Sequence, residues 1–373
     1  MGGTLKWIYT WEFSPKEKGL IQINSDNSQK ALVTGCAGFI GSTLTDRLLA
    51  DGFEVIGIDR FSDYYARNLK EQNLAAAIQH PRFTLIEADI VEMDAFPAVD
   101  YVFHLAAQAG VRASWGRSFD IYTRDNIQTT QRLLDFYATH AAPAPDADSA
   151  PDAESTPPSS RLRRFVYSSS SSVYGDIELP MREDRMVQPV SPYGVSKLAA
   201  EHLCYLYWKN YGVPTVSLRY FTVYGPRQRP DMGINKFVRA ILAGDSITIY
   251  DDGAQTRDFT YIDDAVEANV AAALCDTNES SVCGEAFNIG GGNRISVIDL
   301  IHVIEDATGK AAVLHHVEKQ KGDVQDTWAD AVKAKERFGW QANVRIEEGL
   351  ARYVAWITER KMKVWKKGTS SND

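Results

Sequence analysis

A tyrosine and a lysine four residues apart are the side chains best placed to do chemistry in this sequence. Tyr193 and Lys197 lie one turn apart in a predicted helix that begins with Ser191-Pro192, so both side chains face the same way. A phenol has a pKa of about 10 and is a poor base at neutral pH, but a neighbouring ammonium favours the phenolate. The spacing predicts that Tyr193 is a general base tuned by Lys197. A surface Tyr-Lys pair would have the same spacing.

A run of serines, Ser168–Ser172, follows a predicted strand and ends just before Val173. Because the carboxyl ends of parallel strands meet at one edge of a sheet, these hydroxyls and Tyr193 are expected in one cleft. A hydroxyl there could bond a substrate oxygen, whereas a serine-rich turn is the structural alternative. Asn126, predicted to open the helix after the fourth strand, either completes this polar network or caps its own helix.

Three glycines follow the first predicted strand. Gly35, Gly38 and Gly41 recur at intervals of three before an amphipathic helix, a pattern that lets a pyrophosphate approach a helix N-terminus closely. Asp59 ends the second strand, where a carboxylate accepts the ribose hydroxyls of adenosine and repels a 2′-phosphate. The pattern therefore favours NAD over NADP, while the adjacent Arg60 keeps the phosphorylated cofactor open as an alternative.

Seven short, largely apolar segments alternate with stretches long enough for helices. Several are apolar without interruption, which is typical of strands covered on both faces. Strands that alternate with helices form a parallel sheet, so the sequence predicts an α/β fold with a Rossmann-like, doubly wound parallel sheet. The predicted strands are Ala31–Thr34, Glu54–Asp59, Phe83–Asp89, Tyr101–Ala106, Arg164–Ser168, Thr215–Phe221 and Glu285–Ile289.

The composition changes at two places along the chain. After Tyr224 come Gly- and Pro-rich loops, a helix near Ile234–Ala243 and a strand near Ser246–Tyr250, which indicate a smaller lobe over the carboxyl edge of the sheet. Residues 141–160 are mainly Ala, Pro, Asp and Ser and predict a disordered insertion. The predicted organisation is an N-terminal extension (1–28), a dinucleotide-binding domain (29–224) interrupted by the insertion, and a C-terminal substrate-binding lobe (225–373) that returns a strand near 285–289 and a helix to the sheet.

Charge and composition exclude several classes of protein. The 49 acidic residues outnumber the 40 basic residues, for a net charge of -9, so binding to nucleic acid or to an anionic membrane is not expected. No apolar run approaches the roughly 20 residues of a membrane helix. Four cysteines without Cys-x-x-Cys spacing predict a reducing, cytoplasmic location. The pair His315-His316 lacks further ligands at metal spacing, so no metal is expected.

Six motifs occur in order along the chain: TGCAGFIGS, HLAAQAGVR, SSSSSVYG, SPYGVSK, RYFTVYGPRQRPDM and TRDFTYIDD. Together they resemble the extended short-chain dehydrogenases/reductases, specifically the NAD-dependent nucleotide-sugar epimerases. The resemblance runs from about Lys30 to Trp356 and is interrupted by the Pro-rich insertion. PRQRPDM and the earlier DRFSDYYARNLKEQNL are most similar to the UDP-glucuronate 4-epimerase group of this family.

The resemblance implies a bound NAD and a catalytic trio. Ser170, three residues before Val173, would pair its hydroxyl with Tyr193, and Lys197 would complete the trio. The residues that the resemblance places against NAD are Gly35, Gly38, Phe39, Ile40, Gly41, Asp59, Arg60, Asp89, Ile90, Leu105, Ala106, Ala107, Asn126, Tyr193 and Lys197.

The residues directly before Val173 also bear on the reaction that the resemblance implies. Relatives that eliminate water at C5–C6 carry an Asp-Glu pair there and sugar-acid decarboxylases carry a Glu, but this chain has Ser171 and Ser172. The resemblance therefore implies reversible oxidation at C4, which epimerises UDP-glucuronate to UDP-galacturonate through a 4-keto intermediate. UDP-glucose 4-epimerisation is the alternative, although those enzymes usually carry Asn in place of Thr222. Decarboxylation and a non-catalytic, NAD-sensing protein fit less well.

For the UDP-sugar, the resemblance implies two groups of contacts. Ser171, Ser172 and Thr222, with Arg229 nearby, would surround the C6 carboxylate of the sugar. The nucleotide contacts would be Asn235, Lys236, Arg257, Arg294 and Asp323, and Arg112 is a further residue expected at the cleft. Family members commonly pair through the helices that carry Asn126 and Tyr193, which implies a homodimer.

Overall fold

The computed structural model describes residues 28–140, 162–275, 282–318 and 324–369. The predicted insertion at 141–160 lies outside the described residues, as does the predicted N-terminal extension except for its last residue. Among the described residues, no helix is both long enough and apolar enough to cross a membrane.

Strands and helices alternate along most of the chain. The strands are β1 (Lys30–Thr34), β2 (Glu54–Asp59), β3 (Phe83–Glu87), β4 (Tyr101–His104), β5 (Arg164–Ser170), β6 (Thr215–Tyr220), β7 (Thr222–Tyr224), β8 (Ser246–Tyr250), β9 (Thr256–Tyr261), β10 (Glu285–Ile289), β11 (Asn293–Ser296) and β12 (Val313–Val317). The helices are α1 (Phe39–Ala50), α2 (Arg67–Leu74), α3 (Phe119–Tyr122), α4 (Thr129–His140), α5 (Pro192–Tyr211), α6 (Gly233–Ala243), α7 (Ile262–Leu274), α8 (Val297–Thr308), α9 (Val332–Phe338) and α10 (Ile346–Thr369).

Seven strands form one sheet in the order β10-β6-β5-β4-β1-β2-β3, and all neighbouring pairs are parallel. From β1 the chain passes to β2 and β3 on one side and then to β4 on the other, so the strand order reverses between β1 and β4. Ligands of open α/β sheets bind at the carboxyl ends of the strands beside such a reversal. The predicted Rossmann-like, doubly wound fold is confirmed, including the return of β10 to the sheet edge.

The sheet is covered on both faces, as its uninterrupted apolar strands predict. In β1, Ala31 and Val33 belong to one hydrophobic cluster and Leu32 to another, because successive side chains of a strand point to opposite faces. All three are fully buried. The two clusters therefore lie on the two opposite faces of the sheet at β1.

Three predicted strand ends are wrong by about two residues. The third strand ends at Glu87 rather than Asp89, because the Asp89 carboxylate accepts the Val91 backbone N–H at 3.1 Å and starts a 3-10 turn. The fourth ends at His104 rather than Ala106. The fifth continues beyond Ser168 to Ser170, whose backbone stays in register with β6. The last difference matters most, because it places Ser170 on the rigid sheet.

The C-terminal part begins at the carboxyl edge of the large sheet. β7 follows β6 after one residue and joins β9 and β11 in a three-stranded sheet, while β8 pairs with β12 in a separate two-stranded sheet. The predicted helix near Ile234–Ala243 and the predicted strand at Ser246–Tyr250 are both present, as α6 and β8. Except for β7, the strands of both small sheets lie beyond Tyr224, and β7 places the three-stranded sheet next to the carboxyl end of β6.

Candidate active site

The helix that carries Tyr193 and Lys197 begins where the sequence predicts. The Ser191 side chain accepts the Gly194 backbone N–H at 3.1 Å, and Pro192 occupies the first turn of α5, where its missing N–H costs nothing. Tyr193 and Lys197 both line the main cleft. The cap therefore sets the rotation of α5 that turns these two side chains toward the sheet edge.

Lys197 is held against the end of β5. Its side chain is buried, and the Nζ atom donates to the Ser168 carbonyl oxygen at 2.7 Å. The same Nζ lies 5.1 Å from the centroid of the Tyr167 ring. Burial lowers the pKa of Lys197 to about 7, since an ammonium is costly to bury without a carboxylate.

Tyr193 stands beside Lys197 at the cleft, with its ring edge-on to Tyr122 at a centroid distance of 6.1 Å. Burial raises the pKa of Tyr193, whereas its hydrogen bond with Ser170 and the positive charge of Arg229 lower it. The sequence pointed to Lys197 as the group that tunes this phenol. In the structure the groups that favour the phenolate are Ser170 on β5 and Arg229 in the C-terminal part. The Lys197 ammonium instead donates to the Ser168 carbonyl.

The serine run divides between a strand and a turn. Ser168, Ser169 and Ser170 are the last residues of β5, and Ser171 and Ser172 lie in the following 3-10 turn. The Ser170 Oγ accepts the Ser172 backbone N–H at 3.1 Å, which caps that turn. The strand therefore presents Ser170 to Tyr193, while the turn leaves the hydroxyls of Ser171 and Ser172 half-buried beyond it.

Asn126 lies inside a continuous helix rather than at its start, so the predicted helix opening there is wrong. The helix begins earlier, at Phe119, and Asn126 belongs to its π-helical stretch. The buried Asn126 amide binds both the backbone N–H and the carbonyl of Gln108, at 2.8 and 3.1 Å, and donates to the Ser196 Oγ at 2.8 Å. It ties the loop after β4 to α5 but does not itself line the cleft.

The glycine turn leaves no room for side chains. Gly35 has a φ of +69°, and a Cβ on Gly41 would lie 2.1 Å from the Gly35 carbonyl oxygen. A Cβ on Gly35 would lie 2.8 Å from the Ala106 backbone nitrogen. The turn therefore packs directly against the loop after β4 and leaves the N-terminus of α1 open to the cleft.

The Asp59 carboxylate is fixed at the edge of this cradle. Its two oxygens accept the backbone N–H groups of Ala37 and Phe61 at 3.0 and 2.8 Å, and each keeps a lone pair for a ligand hydroxyl. Arg60 is bound at 2.9 Å to Asp89 and at 2.5 Å to Asp125. Because two carboxylates already neutralise Arg60, these contacts favour a cofactor without a 2′-phosphate.

One cleft joins the glycine turn to Tyr193 and Lys197. A cradle that a Cβ would fill, a carboxylate for ribose hydroxyls and an open helix N-terminus fit a dinucleotide such as NAD. The cleft-lining residues that the sequence predicted are Gly35, Gly38, Phe39, Ile40, Gly41, Asp59, Arg60, Asp89, Ile90, Leu105, Ala106, Ala107, Tyr193, Lys197 and Arg229.

Sequence reasoning missed other residues of the same cleft, among them Ser62, Tyr64, Tyr65, Lys70 and Gln108. Lys70 is buried, and its Nζ donates to the Ser62 carbonyl oxygen at 2.6 Å. No local signal identifies it, because a lysine within the charged sequence of α2 looks like an ordinary surface residue. The stretch DRFSDYYARNLKEQNL, noted for its resemblance, supplies four of these five side chains.

Of the predicted substrate residues that the structure describes, Arg229 is the one that lines the cleft. Its guanidinium binds the Asp231 carboxylate at 3.0 Å, and the Tyr64 hydroxyl donates to the same carboxylate at 3.1 Å. Thr222 begins β7 one residue beyond the end of β6. The two strand ends thus bring Ser171, Ser172 and Thr222 to the carboxyl edge of the sheet.

The predicted nucleotide contacts are not all brought together. Arg257 donates to the carbonyl oxygens of Thr256 and Gln325, and Arg294 donates to the Thr256 hydroxyl at 2.9 Å. These two arginines lie on the paired strands β9 and β11. They lie outside the lining of the main cleft, along the neighbouring three-stranded sheet.

The other three predicted nucleotide contacts and the predicted cleft residue Arg112 differ in place. Asn235 is buried and donates to the Gln228 carbonyl and to the Tyr353 hydroxyl, so the structure does not turn it to the cleft. Lys236 is exposed on α6, Arg112 stacks on the Tyr250 ring at 4.1 Å, and Asp323 lies outside the described residues. His315 and His316 lie in β12, and no group of metal-ligating side chains occurs within the described ranges.

Comparisons with known proteins agree with this geometry. The family model of the GDP-mannose 4,6-dehydratases matches residues 32–353. The chain is 40% identical over 333 residues to an uncharacterized UDP-glucose epimerase of Bacillus subtilis, covering 88% of this chain and 98% of that protein. It is 37% identical over 336 residues to a UDP-glucuronate 4-epimerase of Thermodesulfobacterium geofontis, covering 88% and 96%.

A solved structure is similar over the same range. The UDP-glucuronic acid 4-epimerase of Bacillus cereus, in complex with UDP-glucuronic acid and NAD, is 39% identical to this chain. Its TM-score is 0.79, and the match covers 89% of this chain and 99% of that protein.

Proposed function

The chain belongs to the GDP-mannose 4,6-dehydratase family of extended short-chain dehydrogenases/reductases, and on this premise we propose that it epimerises UDP-glucuronate to UDP-galacturonate at C4. It is an NAD-dependent UDP-sugar 4-epimerase. The observation that carries the proposal is the single cleft that has the glycine turn and Asp59 at one end and Tyr193, Lys197 and Arg229 at the other.

Residues of the chain remove the proton from O4 of the sugar and return it. Bound NAD supplies the reversible two-electron oxidation of the C4 carbinol. Tyr193, as general base, takes the O4 proton and returns it when the 4-keto sugar is reduced on its other face. Ser170 holds the phenol and the sugar oxygen together, and Lys197 keeps the end of β5 against α5 through the Ser168 carbonyl.

The turn after β5 favours C4 chemistry alone. Relatives that eliminate water at C5–C6 carry an Asp-Glu pair in this turn, and the sugar-acid decarboxylases carry a Glu. Ser171 and Ser172 occupy that turn, so the chain brings hydroxyls there instead. We therefore assign no dehydratase or decarboxylase activity to this chain, although the family's name refers to a dehydratase.

The C6 carboxylate of the sugar is assigned to Ser171, Ser172, Thr222 and Arg229. Hydroxyl donors and one cation hold a carboxylate without fixing it in one pose, whereas a bidentate arginine clamp would oppose the rotation that epimerisation requires. The 4-keto intermediate is a β-keto acid, which loses CO2 readily. The site must therefore hold the carboxylate out of the decarboxylating geometry until C4 is reduced again.

For the uridine diphosphate, we retain Arg257 and Arg294 as contacts. A guanidinium suits phosphate oxygens, and both arginines lie on the adjacent strands β9 and β11. Asn235 is better explained as a structural residue, because its amide already joins α6 to Tyr353 at 2.7 Å. On this proposal, residues 29–224 mainly bind NAD and residues 225–373 mainly bind the UDP-sugar.

We also propose a homodimer formed through α5. Val195 and Leu206 lie three turns apart on one face of this helix, and both are exposed. Near the N-terminus of α5, Trp115 and Val190 add further exposed apolar surface. Light scattering should give twice the monomer mass, and Leu206→Glu should shift the protein toward the monomer.

A reducing compartment is the location that the cysteines support. Cys36 and Cys204 are buried as thiols, and the Cys283 Sγ accepts a hydrogen bond from Arg164 at 2.8 Å. A cytoplasmic location follows as a proposal, since an oxidising compartment favours disulfides.

The function is tested with the purified protein and UDP-glucuronate, without added NAD. The expected product is UDP-galacturonate at equilibrium with the substrate, identified by the anomeric and H4 signals in an NMR time course, with no CO2 released. UDP-glucose serves as the competing substrate. Turnover of UDP-glucose alone would replace the proposed reaction with UDP-glucose 4-epimerisation, and formation of UDP-xylose would show decarboxylation.

A further inference from the structure

A buried ion pair lies directly behind the serines of the active site. The Glu201 carboxylate on α5 accepts two hydrogen bonds from the Arg219 guanidinium on β6, at 2.6 and 3.1 Å. Their side chains are only 9% and 7% exposed. Removing two charges from water is costly, and a pair of apolar side chains of similar volume often stabilises a fold as well. The position of this pair therefore calls for an explanation beyond stability.

The pair is bonded to the catalytic strand through Ser169. The Ser169 Oγ donates to the Glu201 carboxylate at 2.6 Å. Ser169 and Arg219 are register partners in the adjacent strands β5 and β6, so both side chains leave the same face of the sheet. The Glu201 carboxylate thus accepts hydrogen bonds from side chains on both of these adjacent strands.

Helix α5 contacts β5 at two successive residues. Lys197 Nζ binds the Ser168 carbonyl at 2.7 Å, and Glu201, one turn later, binds the Ser169 hydroxyl at 2.6 Å. The next residue of the strand is Ser170, whose hydroxyl bonds Tyr193. A shift of β5 along α5 that moved Ser170 away from the phenol would therefore also have to break these two contacts.

The other side of Arg219 reaches the segment after the serines. Its Nη1 donates to the Tyr174 hydroxyl at 2.8 Å, and that hydroxyl donates to the Asn288 side-chain oxygen on β10 at 2.7 Å. Tyr174 directly follows the turn that holds Ser171 and Ser172. The network therefore anchors the serines from both ends.

We propose that Glu201 and Arg219 are positioning residues for the reaction, which fix the end of β5 against α5 so that the Ser170 hydroxyl meets Tyr193. This inference rests on the proposed function, because it assigns Ser170 and Tyr193 to the catalytic step. The charges are needed because a carboxylate paired with a guanidinium accepts the Ser169 hydroxyl in one fixed geometry. Apolar side chains would fill the space without fixing the register.

The decisive variant is Ser169→Ala, which removes the bond between the ion pair and β5 while leaving the pair intact. Turnover (kcat) of UDP-glucuronate should fall about tenfold. KM should change less than about twofold, because Ser169 lines the cleft but its hydroxyl donates to Glu201. Ser169→Thr keeps the hydroxyl and suits a strand, so it should restore most of the lost turnover. Wild-type kcat in Ser169→Ala, or an equal loss in Ser169→Thr, would overturn the proposal.

A matched control separates positioning from general loss of a buried hydrogen bond. Tyr137→Phe removes a buried hydroxyl that donates to the Pro97 carbonyl at 2.8 Å, far along the chain from the serines. It should lower the thermal midpoint about as much as Ser169→Ala but leave kcat unchanged. Equal losses of kcat in the two variants would show that Ser169 acts only through stability.

A double-mutant cycle tests the route through Ser170. If the pair acts by placing Ser170, then Ser169→Ala should cost little further activity when Ser170→Ala is already present, so the two effects are not additive. Additive losses would contradict this route. The wild-type protein is assayed alongside: its inactivity on UDP-sugars would overturn the proposed function, whereas full activity with an unaffected Ser169→Ala variant would overturn this inference alone.

Discussion

The catalytic edge of the sheet and the arginines of the C-terminal part are built in different ways. At the edge, Lys197, Asn126 and Glu201 each bind a fixed backbone or side-chain group of another element at 2.6 to 2.8 Å. In the C-terminal part, Arg294 donates to the Thr256 hydroxyl at 2.9 Å and pairs with the Asp326 carboxylate at 3.4 Å, and its side chain remains 37% exposed. The groups at the sheet edge are bonded at shorter distances than Arg294 of the C-terminal part, so we expect the edge to be the more rigid of the two.

The largest loss of activity is expected from a substitution in the glycine turn, which has no room for a side chain. In Gly41→Ala the new Cβ would meet the Gly35 carbonyl oxygen at 2.1 Å, so the turn must open and the cofactor cradle is lost. The protein should purify without nucleotide and show no activity. Nucleotide released by denaturation is measured by chromatography.

Gly233→Ala is the matched control for that substitution, because a Cβ at Gly233 meets no atom closer than 3.9 Å. This variant should retain the cofactor content of the wild type. Normal cofactor content in Gly41→Ala would contradict the cradle described above.

Removal of the phenol should be the next largest effect. Tyr193→Phe keeps the ring against Tyr122 but loses the general base, so kcat should fall about 10²–10⁴-fold. Bound NAD should be retained, since the cradle is untouched. Steady-state kinetics with UDP-glucuronate measure the loss, and wild-type turnover would exclude Tyr193 as the base.

A selective effect is expected at the substrate carboxylate. Arg229→Ala removes a cation at the cleft, and the use of UDP-glucuronate should fall about tenfold or more, with a smaller loss for UDP-glucose. Thr222→Asn should shift preference in the same direction. The measurement is kcat/KM for both sugars, and equal losses for the two would count against the carboxylate assignment.

Lys335→Ala provides the control for Arg229→Ala, because Lys335 is exposed on α9 outside the cleft lining. It should leave kcat/KM unchanged for both sugars. A loss as large as that of Arg229→Ala would show that the effect is not specific to the cleft.

The last prediction concerns stability rather than turnover. Buried His104 lies between the hydroxyls of Thr34 and Thr130 at 2.8 and 3.0 Å, and burial lowers its pKa to about 3. Between about pH 3 and pH 6.5, His104 therefore binds a proton in the unfolded chain, where its pKa is the ordinary value of about 6.5, but not in the folded chain. Stability from this group is complete above about pH 6.5 and is lost as the pH falls toward 3.

Urea unfolding measures this pH dependence. Between pH 7.5 and pH 5, His104 should account for a loss of about 2 kcal/mol in the free energy of unfolding. His104→Gln should be less stable at pH 7.5 but should lose about that much less on acidification. An unchanged pH dependence would mean that His104 is protonated in the folded protein.

Features that depend on local sequence could be predicted, whereas features that depend on contacts between distant elements could not. The strand and helix periods, the Ser191 cap and the glycine turn are local patterns, and the structure contains each of them. Asn126 could not be placed correctly, because the helix starts at Phe119 without a side-chain cap. Lys70 was missed because only the fold buries it beside Ser62. Asn235 was assigned by resemblance, but its partner Tyr353 lies on a distant helix that no local pattern indicates.

The most direct test of the account follows deuterium at C4 of UDP-glucuronate. If Tyr193 manages only the O4 proton while the hydrogen at C4 leaves and returns within one cleft, the UDP-galacturonate product should keep the deuterium at C4 in deuterium-free water. Mass spectrometry and NMR locate the label. Loss of the deuterium to solvent, or a product that has lost CO2, would contradict epimerisation by oxidation and re-reduction at this carbon.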